Sequence, residues 1–377
     1  MDIFEKTYEN CDSNRNSINR YNNKLRKYLT KVCDYTFPLD LNFILGPYIF
    51  SEFNINGNKI AIFGETHNID YEAYSELTNF ESLPFSSFLK SLLLLNPSTK
   101  YDFFLEIDYV NEHNSIRERI DPDAGPMISL LEDDFLNCFT FVKNCPYPNL
   151  NTHYIDYRVN WKKEYLYKDL YPLLTINNTL KKNPGEIIYS ENYRILQNTN
   201  SLYTANYNFI KNEVKNTIGI SKEFLNNPYS SKIKSFIYKK LYDHKKSFKE
   251  FRNKNLVKLN FIKNNDVMAV EFSDILYNLG YEFLKIAGLI LDMYLLARLT
   301  RKTLAMTTNP SKSIVYVGAT HARNVIEFFN YIKAELIYDS EFEPSYKGET
   351  DPGGLIYPGI YLSDETKSLS FLFEIHR

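Results

Sequence analysis

The stretch Lys59-Ile60-Ala61-Ile62-Phe63-Gly64-Glu65-Thr66-His67-Asn68 decides the fold, together with its downstream echo Ser313-Ile314-Val315-Tyr316-Val317-Gly318-Ala319-Thr320-His321. Each is a short apolar run that ends in Gly-x-Thr-His. Runs of this kind, rich in β-branched and aromatic residues and stopped by Gly and polar residues, read as strands buried on both faces, as in parallel α/β sheets. Each His then stands at the carboxyl end of a buried strand, where open α/β sheets place their ligands and chemistry. Two of the six histidines in the chain share this context.

Working outward, 48–50 and 59–63 flank Asn56-Gly57, the dipeptide of tight hairpins. Residues 85–95 follow Pro84 and read as a core-facing helix. Strands are expected over 101–108, 153–158 and 312–317, then a helix over 322–332 and a strand over 335–338. This alternation argues for right-handed βαβ units. The expected fold is α/β, a central, mostly parallel sheet flanked by helices and carrying a helical basic insertion. Residues 1–40 form an N-terminal helical segment, 41–160 and 265–377 the core, and 161–264 the insertion. A long buried helix is expected over 267–299 and a last edge strand over 369–374.

The totals, 44 basic against 46 acidic residues, imply no partner, but their distribution shows an acidic body carrying a basic segment. Residues 160–263 hold 20 Lys/Arg and 8 Asp/Glu, a net of +12, which leaves −14 for the remainder. A solvated helical face is the plain explanation of that segment. Tyr and Phe interleaved among its Lys make nucleic acid or an anionic surface the alternative partner. Cys11, Cys33, Cys138 and Cys145 form no CxxC pair, and nothing at the start reads as a secretory signal, so reduced thiols in the cytoplasm are expected. Residues 283–299 are apolar but interrupted by Lys285 and Asp292, short of the roughly 20 residues of a membrane span. That Lys/Asp pair reads as a thin solvated stripe or, for Asp292, as a residue supporting the strand-end rim from behind.

Four predicted strands end in Glu65/His67, Glu106/Asp108, Asp156/Arg158 and His321/Arg323. In a parallel sheet these ends open on one rim holding two imidazoles and several carboxylates, a set suited to a divalent cation. His67, His321, Glu65 and Asp156 are the candidate ligands. Glu65 or Glu106 would act as general base toward a metal-bound water, and Arg158 and Arg323 would hold developing negative charge. The plainer alternatives are a turn with a helix-capping His for each Gly-x-Thr-His, a helix cap for Asp108, a structural role for Asp156 and an acid partner for Arg158. His113, His153, His244 and His376 have no partner pattern and read as surface or packing residues. No Gly-rich phosphate loop, Gly-x-Ser-x-Gly elbow or Cys/His pair of recognisable spacing is present.

Gly64-Glu65-Thr66-His67 with Gly318-Ala319-Thr320-His321 resembles the paired Gly-x-x-His signature of the Tiki/TraB, erythromycin esterase-like and haem-binding lipoprotein superfamily. Leu105-Glu106 and Asp156-Tyr157-Arg158 resemble its internal acidic and Arg motifs. Asp292 to Arg298 and the strand ending at His321 also resemble relatives in large DNA viruses, in keeping with an Asn-, Lys-, Tyr- and Ile-rich composition. The resemblance covers roughly 45–160 and 265–340. It implies metal-dependent peptide hydrolysis in one branch, ester or lactone hydrolysis in a second and no catalysis in a third, with the functional positions on Glu65, His67, Glu106 and His321. The expected function is a hydrolase of an ester or amide bond, assisted by Mn, Co or Zn and acting on a small molecule or peptide, in a host cytoplasm or virion if viral. The alternative is a non-catalytic binding or host-interaction protein that uses the basic insertion.

Overall fold

The structure, a computed structural model, describes residues 43–55, 57–65, 82–95, 98–108, 126–139, 145–156, 198–216, 221–263, 273–301, 312–341 and 359–361. The expected N-terminal helical segment and the strand over 369–374 lie outside them, as do His67, Arg158, Cys11 and Cys33. The chain divides into two compact units, Met1–Tyr154 with Thr303–Arg377, and Ile155–Lys302. The second takes in the long helix after residue 264, which the sequence division assigned to the core.

The first unit contains β1 (Phe43–Leu45), β2 (Ile49–Ile55), β3 (Asn58–Glu65), β4 (Ser82–Pro84), α1 (Phe85–Leu95), β5 (Tyr101–Asp108) and α2 (Pro126–Phe139). β6 (Leu150–Asp156) spans the unit boundary, and after the helical unit come β7 (Lys312–Gly318), α7 (Ala319–Tyr331), β8 (Glu335–Glu341) and β9 (Gly359–Tyr361). The main sheet runs β6-β5-β7-β3-β2-β8, and β4-β1-β9 form a small second sheet. β5, β7 and β3 are mutually parallel, whereas β2 is antiparallel to both β3 and β8. The sheet is therefore mixed rather than mostly parallel. Its antiparallel part follows from the hairpin: Ile55 pairs with Asn58 across Asn56-Gly57, Gly57 has φ +85°, and its N–H is held by Asn54 Oδ1 at 2.9 Å. A two-residue loop can only return the chain antiparallel.

Helices cover both faces of this sheet. Phe63, Tyr316, Phe103 and Leu105 face α1 and α2 in one cluster with Phe85 and Phe135. On the opposite face Phe329 of α7 meets Phe53 edge-on at 5.2 Å between centroids. With both faces covered, β3 and β7 read as continuous apolar runs, and Ile60 to Phe63 and Ile314 to Val317 are all buried. Each fully buried Phe adds about 1.5–3 kcal/mol of transfer free energy. Cys138 at the end of α2 and Cys145 before β6 are joined in a disulfide, with Cα atoms 4.4 Å apart. This corrects the expectation of reduced thiols for these two residues, which rested on spacing and on the start of the chain: both cysteines pack against the same core cluster, which draws them together.

The second unit contains α3 (Thr199–Asn216), α4 (Ser221–Phe224), α5 (Ser230–Lys263) and α6 (Ser273–Thr300). Tyr203 of α3, Phe248 of α5 and Phe283 of α6 pack ring against ring. Buried Asn227 ties the turn after α4 to α6, donating to the Ala297 carbonyl at 2.9 Å and Thr300 Oγ1 at 3.0 Å. Asp292 is 1% exposed, so it is a core residue of this unit, and Lys285 pairs with Glu282 at 2.7 Å. The expected solvated Lys285/Asp292 stripe does not form, because neighbouring helices cover that part of α6. Among the described residues no helix is long and apolar enough to cross a membrane.

Candidate functional site

β7 and its neighbours β5 and β3 deliver three carboxyl ends side by side. Glu65 pairs in register with Gly318, and Leu105 with Tyr316, so Glu106 stands level with Val317. From the end of β3 the chain continues to α1 and β5 on one side of β7. From the end of β7 it continues to α7 and β8 on the other. The helices that follow these two strands pack on opposite faces of the sheet, α1 on one and α7 on the other, the kind of topological switch point at which α/β sheets bind ligands.

Gly64 sets how closely α7 approaches. A Cβ at this position would lie 2.7 Å from the Ala322 Cβ and 3.1 Å from the Ile49 Cβ. Gly64 is thus required by helix-on-strand packing, and Gly318, the residue preceding α7, has ordinary extended φ/ψ of −59°/148°. Neither glycine supplies the positive φ of the turn explanation, and at Gly64 the close approach of α7 to β3 takes its place.

The two candidate acids separate onto opposite faces. Glu65 shares the face of Phe63 and Tyr316, is buried, and accepts the Tyr316 hydroxyl at 2.6 Å through Oε2. Glu106 lies on the other face, since its neighbours Leu105 and Ile107 belong to the α1/α2 cluster. Its Oε2 accepts the Gly318 N–H at 2.7 Å, and its Oε1 lies 3.4 Å from Nε2 of His321 in the first turn of α7. Their side chains are 6% and 10% exposed. The register produces the split: Glu65 and Glu106 differ by one position in the sheet, and side chains alternate with period two.

The carboxylate of Glu106 meets the α7 N-terminus, where backbone N–H groups carry partial positive charge. It offsets the field that a protonated His321 would otherwise meet there, and it lies within ion-pair distance of one ring nitrogen. A carboxylate so placed orients an imidazole and accompanies the charge the ring gains on taking a proton. Two residues further along α7, exposed Arg323 extends over buried Tyr48, with Nη2 donating to its hydroxyl at 3.4 Å and the guanidinium 5.9 Å from its ring centroid.

Of the residues proposed from the sequence, the structure brings Glu106 and His321 together and places Glu65 and Arg323 at the same sheet edge, in separate pairs. Asp156 ends β6, half-buried on the outermost strand. Among the described residues no group of three or more His, Cys, Asp or Glu side chains is arranged to hold a metal ion. The described donors do not assemble into a ligand set, and His67 lies outside them. Sequence reasoning missed Tyr316 and Tyr48. Tyr316 did carry a signal, being the one hydroxylated side chain within the apolar run Ile314 to Val317.

Among the other histidines, His153 packs structurally, its ring 4.5 Å from Phe104 and its Nε2 3.0 Å from Asp102. His244 is half-buried in the helical unit, and burial pushes its pKa below the usual imidazole value. No family model, curated protein or solved structure matches this chain.

Proposed function

We propose that this protein hydrolyses an ester or amide bond at the carboxyl edge of β3, β5 and β7, with His321 as the proton-transfer group, Glu106 as the residue that orients it and Arg323 as the anchor for an anionic part of the substrate. The observation that carries this reading is the Glu106–His321 pair, a largely buried carboxylate–imidazole couple standing at a switch point. The paired Gly-x-Thr-His resemblance supports the same reaction class. Both Glu106 oxygens are engaged, which moves it from general base to orienting residue. Glu65, turned to Tyr316 on the other face, supports the strand end. A divalent cation, had it a part, would be held by His321 and His67 and would supply an acidified water. The test is turnover of p-nitrophenyl esters and amide analogues by the intact chain, with and without Mn, Co or Zn. Hydrolysis that falls about 10²–10⁴-fold in His321→Ala is expected. Wild-type turnover no higher than that variant's under every condition overturns the reading.

A second reading, binding through the basic segment, is favoured by α5, whose 34 residues carry ten Lys and one Arg against Asp243 and Glu250.

A further inference from the structure

α5 divides its two faces sharply. Its apolar stripe, Ile233, Phe236, Ile237, Leu241 and Phe248, is buried. Its opposite face carries Lys239, Tyr242, Lys245, Lys246 and Lys249, all exposed, with Tyr242 64% exposed at the centre. These five span about 120° around the helix axis, each within about 60° of Tyr242, and about 15 Å along it. Asp243 and Glu250 fall roughly a quarter-turn to one side. Lys246 and Glu250 are 4.0 Å apart with both side chains more than two-thirds exposed, an arrangement that leaves the lysine charge available to a stronger partner. The Lys245 ammonium sits 4.5 Å from the Tyr207 ring centroid, which steadies it at the rim of the patch.

A row of lysines with one exposed ring among them matches a particular ligand chemistry. Lysines pair with phosphates and lend salt dependence. An exposed aromatic ring offers a stacking platform, which bases can use only when unpaired. A lipid surface is a poorer match, because a membrane-lying helix needs a free apolar face and that of α5 is spent on its own unit's core. We infer that this face of α5 binds single-stranded nucleic acid, Lys239, Lys245, Lys246 and Lys249 holding the backbone and Tyr242 stacking on a base. The inference rests on the second reading above and names its partner.

Fluorescence anisotropy on the intact chain tests it, with labelled dT20, a 20-base-pair duplex and phosphatidylserine vesicles as probes. The expected result is preference for dT20 and a log–log salt slope near about −3, falling to about −1 in the Lys239→Ala/Lys246→Ala/Lys249→Ala variant. Tyr242→Ala should weaken dT20 binding about 5-fold or more, with Tyr242→Phe close to wild type. Equal binding of duplex and dT20 with no effect of Tyr242→Ala overturns the inference while leaving a general anion-binding surface. So does binding of vesicles but not of dT20. Absence of binding to all three probes removes both the inference and the reading beneath it. Circular dichroism on each variant confirms that the substitutions, all at exposed positions, leave the helices formed.

Discussion

Glu106 reaches across from β5 to bind both the backbone N–H of Gly318 and the imidazole of His321, at 2.7 Å and 3.4 Å. One carboxylate thus ties the end of one strand to the start of the helix that follows its neighbour. Removing it should be felt in stability as well as in turnover. Glu106→Ala leaves the Gly318 N–H without its acceptor and is expected to cost about 1–3 kcal/mol. Glu106→Gln keeps an acceptor and costs about 1 kcal/mol or less through the lost charge at the helix N-terminus. Urea denaturation of the two variants checks the order.

Gly64 and Ala322 form a second such relationship. Gly64→Ala introduces a Cβ that meets the Ala322 Cβ at 2.7 Å, so overpacking of about 1–3 kcal/mol is expected. Ala322→Gly in the same chain should recover a measurable part of that loss, because the clash is then removed from the other side. A double-mutant cycle by chemical denaturation reports the coupling. Additive losses would mean that Gly64 is needed for some reason other than the approach of α7.

Tyr316→Phe removes the donor to buried Glu65 and is expected to destabilise by about 1–3 kcal/mol. Because Tyr316 and Glu65 lie on the face opposite His321, turnover per folded molecule should stay within a few-fold of wild type. Steady-state hydrolysis measured well below the unfolding midpoint separates the two effects.

The helical unit should show its own pH dependence. Burial lowers the His244 pKa; Glu282 and Asp292 oppose that shift, and Lys285 and Lys240 add to it. A folded value below the unfolded one means that its contribution is present above about pH 6.5 and is lost as pH falls toward the folded pKa. Glu213 has the opposite profile: burial raises its carboxyl pKa, so folding is favoured with the proton on and penalised as pH rises through the carboxylate range. Thermal unfolding of His244→Gln should therefore lose less stability than wild type between pH 7 and pH 5. Glu213→Gln should raise the midpoint at pH 7 and lose that advantage near pH 3.

Much of this architecture was legible in the sequence, and the reasons are local. The apolar runs into Gly64 and Gly318 identified two buried parallel strands, Asn56-Gly57 the hairpin, and Pro84 the start of α1. The expected rim failed in one respect, because strand ends meeting at one edge do not fix which face each side chain takes. Glu65 and Glu106 separated once the register placed Glu65 beside Gly318 and Glu106 beside Val317. The Cys138–Cys145 bond and the burial of Asp292 were hidden for a similar reason. Both depend on packing against elements remote in sequence, which neither spacing nor composition encodes.

The Glu106–His321 pair stands or falls by steady-state hydrolysis of a chromogenic ester by wild type, His321→Ala, Glu106→Gln and Tyr316→Phe, each shown to be folded at the assay temperature. The account predicts a loss of about 10²-fold or more for His321→Ala, about 10- to 100-fold for Glu106→Gln as the ring loses its orienting carboxylate, and little change for Tyr316→Phe. Equal turnover in wild type and His321→Ala, or a loss confined to Tyr316→Phe, would contradict it.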